Sequence, residues 1–128
     1  MDHIKFLGTS SWNTSEFLTR AQNYADKSSF VDVFFSESKK PSVVSFLKKY
    51  RSTFGQEPTA LEVLAYDAAL VLKSTLLSDT QPFTRDEVKD RLKAIKNFPG
   101  TTGNITVKDG QLFKELLVIT VKNGQFTD

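Results

Sequence analysis

Thr59-Ala60-Leu61-Glu62-Val63-Leu64-Ala65-Tyr66-Asp67-Ala68-Ala69-Leu70-Val71-Leu72-Lys73-Ser74-Thr75-Leu76 is the stretch that decides the fold. It opens on Thr-x-x-Glu, the pattern in which a threonine hydroxyl and a glutamate carboxylate satisfy the free backbone N–H groups at a helix start. Behind this cap, Leu61, Leu64, Ala65, Ala68, Val71, Leu72 and Leu76 recur at three- and four-residue spacing. They form an apolar stripe over about five turns and predict a long helix laid against a neighbouring layer. Glu62 is accounted for as part of the cap, and Asp67, beside the stripe, reads as solvated helix surface.

Working outward, the residues before Pro58 are helical too. Val43, Phe46, Leu47, Tyr50 and Phe54 share a face from Pro41 onward, and Gly55 is placed to stop the run. On the other side, Thr84-Arg85-Asp86-Glu87 repeats the cap, and Val88, Leu92 and Ile95 predict a shorter helix ending before Pro99-Gly100. The flanks are strand-like. Residues 4–8 predict a strand running into a polar turn, Thr9-Ser10-Ser11-Trp12-Asn13, after which Thr14 or Ser15 caps a helix carrying Phe17, Leu18, Ala21 and Ala25. Residues 29–35 are rich in β-branched and aromatic side chains, a second strand, followed by a polar linker that includes Lys39-Lys40. At the far end residues 103–107 alternate, residues 108–111 turn, and residues 116–121 are strongly β-prone, which predicts a hairpin. The order β-α-β-α-α-α-β-β implies an α/β fold, a layered sheet with covering helices.

Composition narrows the function classes. A chain of 128 residues with 39% hydrophobic content supports one domain's worth of core, and most of its 11 phenylalanines are expected inside it. The formal charge of +2 comes from scattered residues and not from a dense basic stripe, which speaks against nucleic acid as a partner. Without cysteine there is no disulfide, thiolate metal site or cysteine nucleophile. The single histidine, His3, is a weak candidate for a base near the start of the chain, and no carboxylates stand at metal-binding or acid–base spacing. No cofactor and no metal are therefore expected, and no catalytic residues. No stretch approaches the roughly 20 apolar residues of a membrane span. Residues 1–6 lack the features of an export signal, so the signal of a secreted parent would lie outside them.

The loop after the first strand is the best candidate for contact with a ligand. It gathers Ser10, Ser11 and Asn13 with the only tryptophan, Trp12, and ligands in open α/β sheets bind at the carboxyl ends of strands. A serine turn beside a core tryptophan and a helix cap would explain the same residues. Gly100-Thr101-Thr102-Gly103 precedes a strand and not a helix, so it offers no helix N-terminus to a phosphate.

Four segments carry a resemblance to a known family: Leu7-Gly8-Thr9-Ser10-Ser11-Trp12, the run from Phe46 to Pro58, Ala65-Tyr66-Asp67-Ala68-Ala69, and Phe98-Pro99-Gly100-Thr101-Thr102-Gly103-Asn104-Ile105 leading to Asp109-Gly110. In this order the chain resembles the C-terminal third of type I periplasmic solute-binding proteins, the branched-chain amino-acid receptors of ABC importers. The resemblance implies two α/β lobes closing by a hinge around a small molecule. Residues 1–35 and 103–128 would belong to the C-terminal lobe and residues 41–98 to helices of the N-terminal lobe. It implies a binding protein and no enzyme, periplasmic or extracellular and in some parents lipid-anchored, with a small-molecule ligand and a membrane permease as partners. Helix faces left bare by the rest of such a fold predict self-association of this chain. Ligand contacts implied are Ser10, Ser11, Trp12 and Leu61, although core packing also explains Leu61. Amino-acid binders of the family place an acidic residue where this sequence has Ser10, and a hydroxyl cannot offset a buried ammonium charge, so a neutral or anionic solute fits better. A ligand sensor or protein-interaction domain on the same fold, such as a receptor or an activator of cell-wall enzymes, is the alternative, which contacts at the Lys39-Lys40 linker would favour.

Overall fold

The structure, a computed structural model, describes residues 4–77 and 84–128; His3, weighed above as a base, lies outside the described residues. The chain runs β1 (Leu7–Gly8), α1 (Ser15–Ala21), β2 (Ser29–Asp32), α2 (Pro41–Phe54), α3 (Ala60–Leu76) and α4 (Arg85–Lys93). It continues through β3 (Phe98–Pro99), β4 (Asn104–Lys108), β5 (Gln111–Lys114), β6 (Leu117–Lys122) and β7 (Gln125–Thr127). The mixed α/β class and the order of the first six elements match the sequence reading.

Local chemistry explains the helix bounds. Thr14, and not Ser15, caps α1, its hydroxyl accepting the Phe17 N–H at 3.1 Å. That helix stops short of Ala25 because Gln22, at φ 46°, leaves the helical region and the chain tightens into a 3-10 turn. Pro41 starts α2, where a missing N–H is harmless, and Gly55 ends it at φ 67° with its N–H donating to the Arg51 carbonyl at 2.9 Å. Both capping boxes form: the Thr59 N–H donates to Glu62 Oε2 at 2.7 Å and the Thr84 N–H to Glu87 Oε2 at 2.8 Å.

The tail departs from expectation. The predicted single hairpin of residues 103–107 with 116–121 is replaced by two hairpins in two sheets. Asp109 and Gly110 lie at φ 51° and 75°, a two-residue turn of the I′ kind, so β5 begins at once and Lys108 pairs with Gln111. Asn123-Gly124, at φ 52° and 73°, does the same between β6 and β7. The first sheet has the order β1-β2-β6-β7, with β1 parallel to β2 and the other pairs antiparallel; the second is β3-β4-β5. β2 stops at Asp32, three residues before the predicted end.

Two apolar clusters hold the layers. Phe30 and Ile119, paired across β2 and β6, sit with Phe35 and Leu117 under Trp12 and Phe126. Phe34, Val43, Phe46, Leu47 and Val63 bind α2 to α3. Two expectations about burial fail. Phe6, Phe54 and Phe113 are exposed, and only Phe30, Phe34, Phe35 and Phe46 of the described phenylalanines are buried, because the others fall at sheet edges, helix ends or cluster rims. The stripe on α3 faces outward except for Val71. The buried face is Val63, Asp67, Val71 and Thr75, spaced four apart, while Leu61 is 72% exposed. A helix apolar on both sides does not by its periodicity reveal which side is covered.

Candidate ligand-binding site

Because β1 and β2 are parallel, the loops that follow them emerge side by side at one edge of the first sheet. The first passes through a 3-10 turn, Ser10–Trp12, and the second runs from Val33 towards α2. Opposite them stands the start of α3. Between these walls lies an open cleft of about 870 Å³. Its polar lining includes Thr9, Ser10, Ser11, Asn13 and Asp32; Phe34, Pro58, Ala60 and Leu64 supply apolar surface.

Asn13 ties the two loops together. Its Nδ2 donates to Asp32 Oδ2 at 2.8 Å and to the Phe34 carbonyl at 2.9 Å. Asp32 Oδ1 accepts the Val33 N–H at 2.6 Å, so the carboxylate caps the end of β2 while its residue is only 5% exposed. Each Asp32 oxygen thus has a neutral donor. The cleft wall is fixed by three hydrogen bonds before any solute arrives, which favours a preorganised surface.

The implied contact residues separate. Ser10 and Ser11 are exposed and line the cleft, Thr9 and Ser11 being joined through their hydroxyls at 2.9 Å. Trp12 turns to the sheet: its ring stacks on Phe17 at 4.7 Å and meets Phe30 edge-on at 6.4 Å. A Cβ at Gly8 would stand 2.3 Å from that ring, so glycine there makes room for it. Leu61 stands in solvent on the first turns of α3, outside the lining. Sequence reasoning passed over Asp32, which brings a carboxylate to the wall where Ser10 brings none. The only signal was a lone charged residue inside an otherwise uncharged predicted strand.

A second polar centre lies away from the cleft. Asp67, read from sequence as solvated, is 1% exposed. Its Oδ1 accepts the Thr101 N–H at 2.8 Å and the Thr101 hydroxyl at 2.6 Å, and its Oδ2 pairs with Lys114 from β5. Gly100 permits the approach, since a Cβ there would lie 2.9 Å from Asp67 Oδ2. The Gly100–Gly103 segment therefore clamps α3 to the second sheet. Among the described residues, no group of three histidine, aspartate or glutamate side chains is placed to hold a metal, and no helix is long and apolar enough to cross a membrane.

The sequence model of the periplasmic binding protein family matches residues 2–125. No curated protein sequence matches significantly. Among solved structures, one described as a branched-chain amino acid ABC transporter from Rhodospirillum rubrum superposes with a TM-score of 0.89 at 22% identity, over 98% of this chain and 37% of its own. A leucine-binding protein from Thermotoga maritima gives 0.68 at 24% identity, over 98% of this chain and 36% of its own. A branched-chain amino acid transporter substrate-binding protein from Streptococcus pneumoniae, in complex with isoleucine, gives 0.67 at 25% identity, over 95% of this chain and 35% of its own. The chain thus spans little more than a third of the length of the structures it resembles.

Proposed function

Because the chain belongs to the periplasmic binding protein family, we propose that it supplies one part of a solute-binding cleft in an extracytoplasmic receptor of an ABC-type importer. Family and structural neighbours alike are binding proteins. The observation that carries the reading is the cleft at the carboxyl ends of β1 and β2, with hydroxyls, the Asn13 amide and the Asp32 carboxylate on one wall. Parallel strand ends are where open α/β sheets take ligands. The ligand is a small polar solute, amino-acid-like or otherwise; Asp32 recognises donors on it and the apolar wall covers its hydrocarbon part.

In this proposal residues 1–35 and 103–128 belong to one lobe and residues 41–98 to the other. The hinge motion brings the start of α3 towards the loops at Ser10 and Asp32. The pairing of β3 with β4 and the bond from the Thr101 N–H to Asp67 cross that boundary, so in this proposal the second sheet is a tie between the two lobes. A membrane permease receives the solute, and the compartment is periplasmic or extracellular.

Isothermal titration calorimetry with a panel of amino acids, carboxylates and small polyols tests the reading. Ser10 is exposed on the wall, so Ser10→Tyr fills the cleft without disturbing the core. A solute that binds the parent chain and loses at least about tenfold in affinity on Ser10→Tyr supports the site. No saturable binding across the panel, or binding indifferent to Ser10→Tyr, contradicts it.

A further inference from the structure

We propose that the groove between α4 and the turn from β4 to β5 is a docking site for an extended acidic segment of a partner protein, in which acidic and apolar side chains alternate. One wall is a row of cations. Arg85, Lys89 and Lys93 are exposed on α4 at four-residue spacing. They therefore fall within about 80° of arc and stand about 6 Å apart along the helix. Val88 and Leu92 lie beside them, half-buried, and with Val107 from β4 they floor a space of about 500 Å³. The two walls are fixed to one another, because the Val107 N–H donates to the Ile95 carbonyl at 2.9 Å just past the end of α4.

Charge and spacing select the occupant. Among the described residues none of the three cations forms an ion pair, and Glu87 is engaged at the Thr84 cap. Unpaired ammonium and guanidinium groups resist burial beneath another layer, so this row faces solvent whatever packs elsewhere on the chain. An extended segment places every second side chain on one side at steps of about 6.6 Å, close to the step between the cations. Acidic side chains at alternate positions therefore meet Arg85, Lys89 and Lys93 in register, and the apolar side chains between them turn towards Leu92 and Val107. A flat anionic membrane fits less well. Asp86 and Asp90 flank the row on the side away from Val88 and Leu92, where such a surface would meet them, and a concave floor stays out of its reach. The groove shares no lining residue with the solute cleft, so the inference is independent of solute binding.

Fluorescence anisotropy with a labelled peptide of alternating glutamate and valine, blocked at both ends, tests the site on the full chain. Saturable binding that weakens as salt is added is expected. Lys89→Glu, in the middle of the row, should lower affinity by at least about tenfold, whereas Lys48→Glu, exposed on α2, should leave it unchanged. A peptide of the same composition with its glutamates contiguous, and one with serine in place of valine, should each bind at least about fivefold more weakly. Absence of saturable binding, equal loss from Lys48→Glu, indifference to Lys89→Glu, or equal affinity for either control peptide overturns the proposal. So does a chain that ignores the peptide but binds vesicles of anionic phospholipid in a manner that depends on Lys89.

Discussion

Lys114 on β5 reaches Asp67 in the middle of α3, and the two side chains are 6% and 2% exposed. Forty-seven residues of sequence separate them, yet this pair, with Thr101, joins the central helix to the second sheet. A buried carboxylate with two hydrogen bonds and a cation is well satisfied, and its removal strands an ammonium group in the interior.

Asp67→Ala is accordingly expected to destabilise the chain by about 3–5 kcal/mol. Asp67→Ala combined with Lys114→Met should recover much of that loss, since no charge is then left alone. Urea unfolding of both variants measures this; equal losses in the single and double variants would contradict it.

Thr102 Oγ1 is buried with no hydrogen-bond partner among the described residues. Replacing an unpaired hydroxyl by a methyl of the same shape removes a desolvation penalty. Thr102→Val should therefore leave stability unchanged or raise it, whereas Thr101→Val, which takes a hydrogen bond from Asp67, should lower it by about 1–3 kcal/mol. Thermal unfolding of the two variants side by side decides the matter.

Gly8→Ala places a methyl against the Trp12 ring, which must then move off Phe17 and Phe30. Because Trp12 is the only tryptophan, its fluorescence reads this site alone. A red-shifted native emission and a lowered melting temperature are expected; an unchanged spectrum would mean that the ring packs elsewhere.

Three glutamates give the chain a defined acid response. Hydrogen bonds from Arg51 to Glu57, from Thr59 to Glu62 and from the Asn104 backbone to Glu115 hold these carboxyls below the ordinary glutamate range. Their contribution is complete above the unfolded value and is lost as pH falls through the lowered folded values. Urea midpoints should be level from neutrality down to the ordinary glutamate range and decline below it. Thr59→Ala should cost about 1 kcal/mol at neutral pH through the lost cap. It should also flatten part of the acid decline, and a parallel decline would refute the role of Glu62.

Helices were legible because their signals are local: Thr59 with Glu62, Thr84 with Glu87, Pro41 and Gly55 are near neighbours in sequence. The tail was misread at one point. Asp109-Gly110 was recognised as a turn, but a two-residue I′ turn obliges Gln111 to pair at once, and this releases β6 to join β2. Asp67 was invisible because its partners Thr101 and Lys114 lie 34 and 47 residues away. Its spacing of four from Val63 and from Val71 was the available clue. The cleft was legible in part. Ser10 and Ser11 follow from the rule about strand ends, while the bond from Asn13 to Asp32 depends on how β1 and β2 align.

Chemical-shift mapping of the isotope-labelled chain with the solute panel tests the central claim most directly, because it detects the weak binding expected of a partial cleft. Shifts confined to residues 9–14, 32–36 and 58–64, saturating with concentration, are the predicted result. Saturable shifts confined to other surfaces, or none with any solute, would contradict a solute-binding role for this cleft.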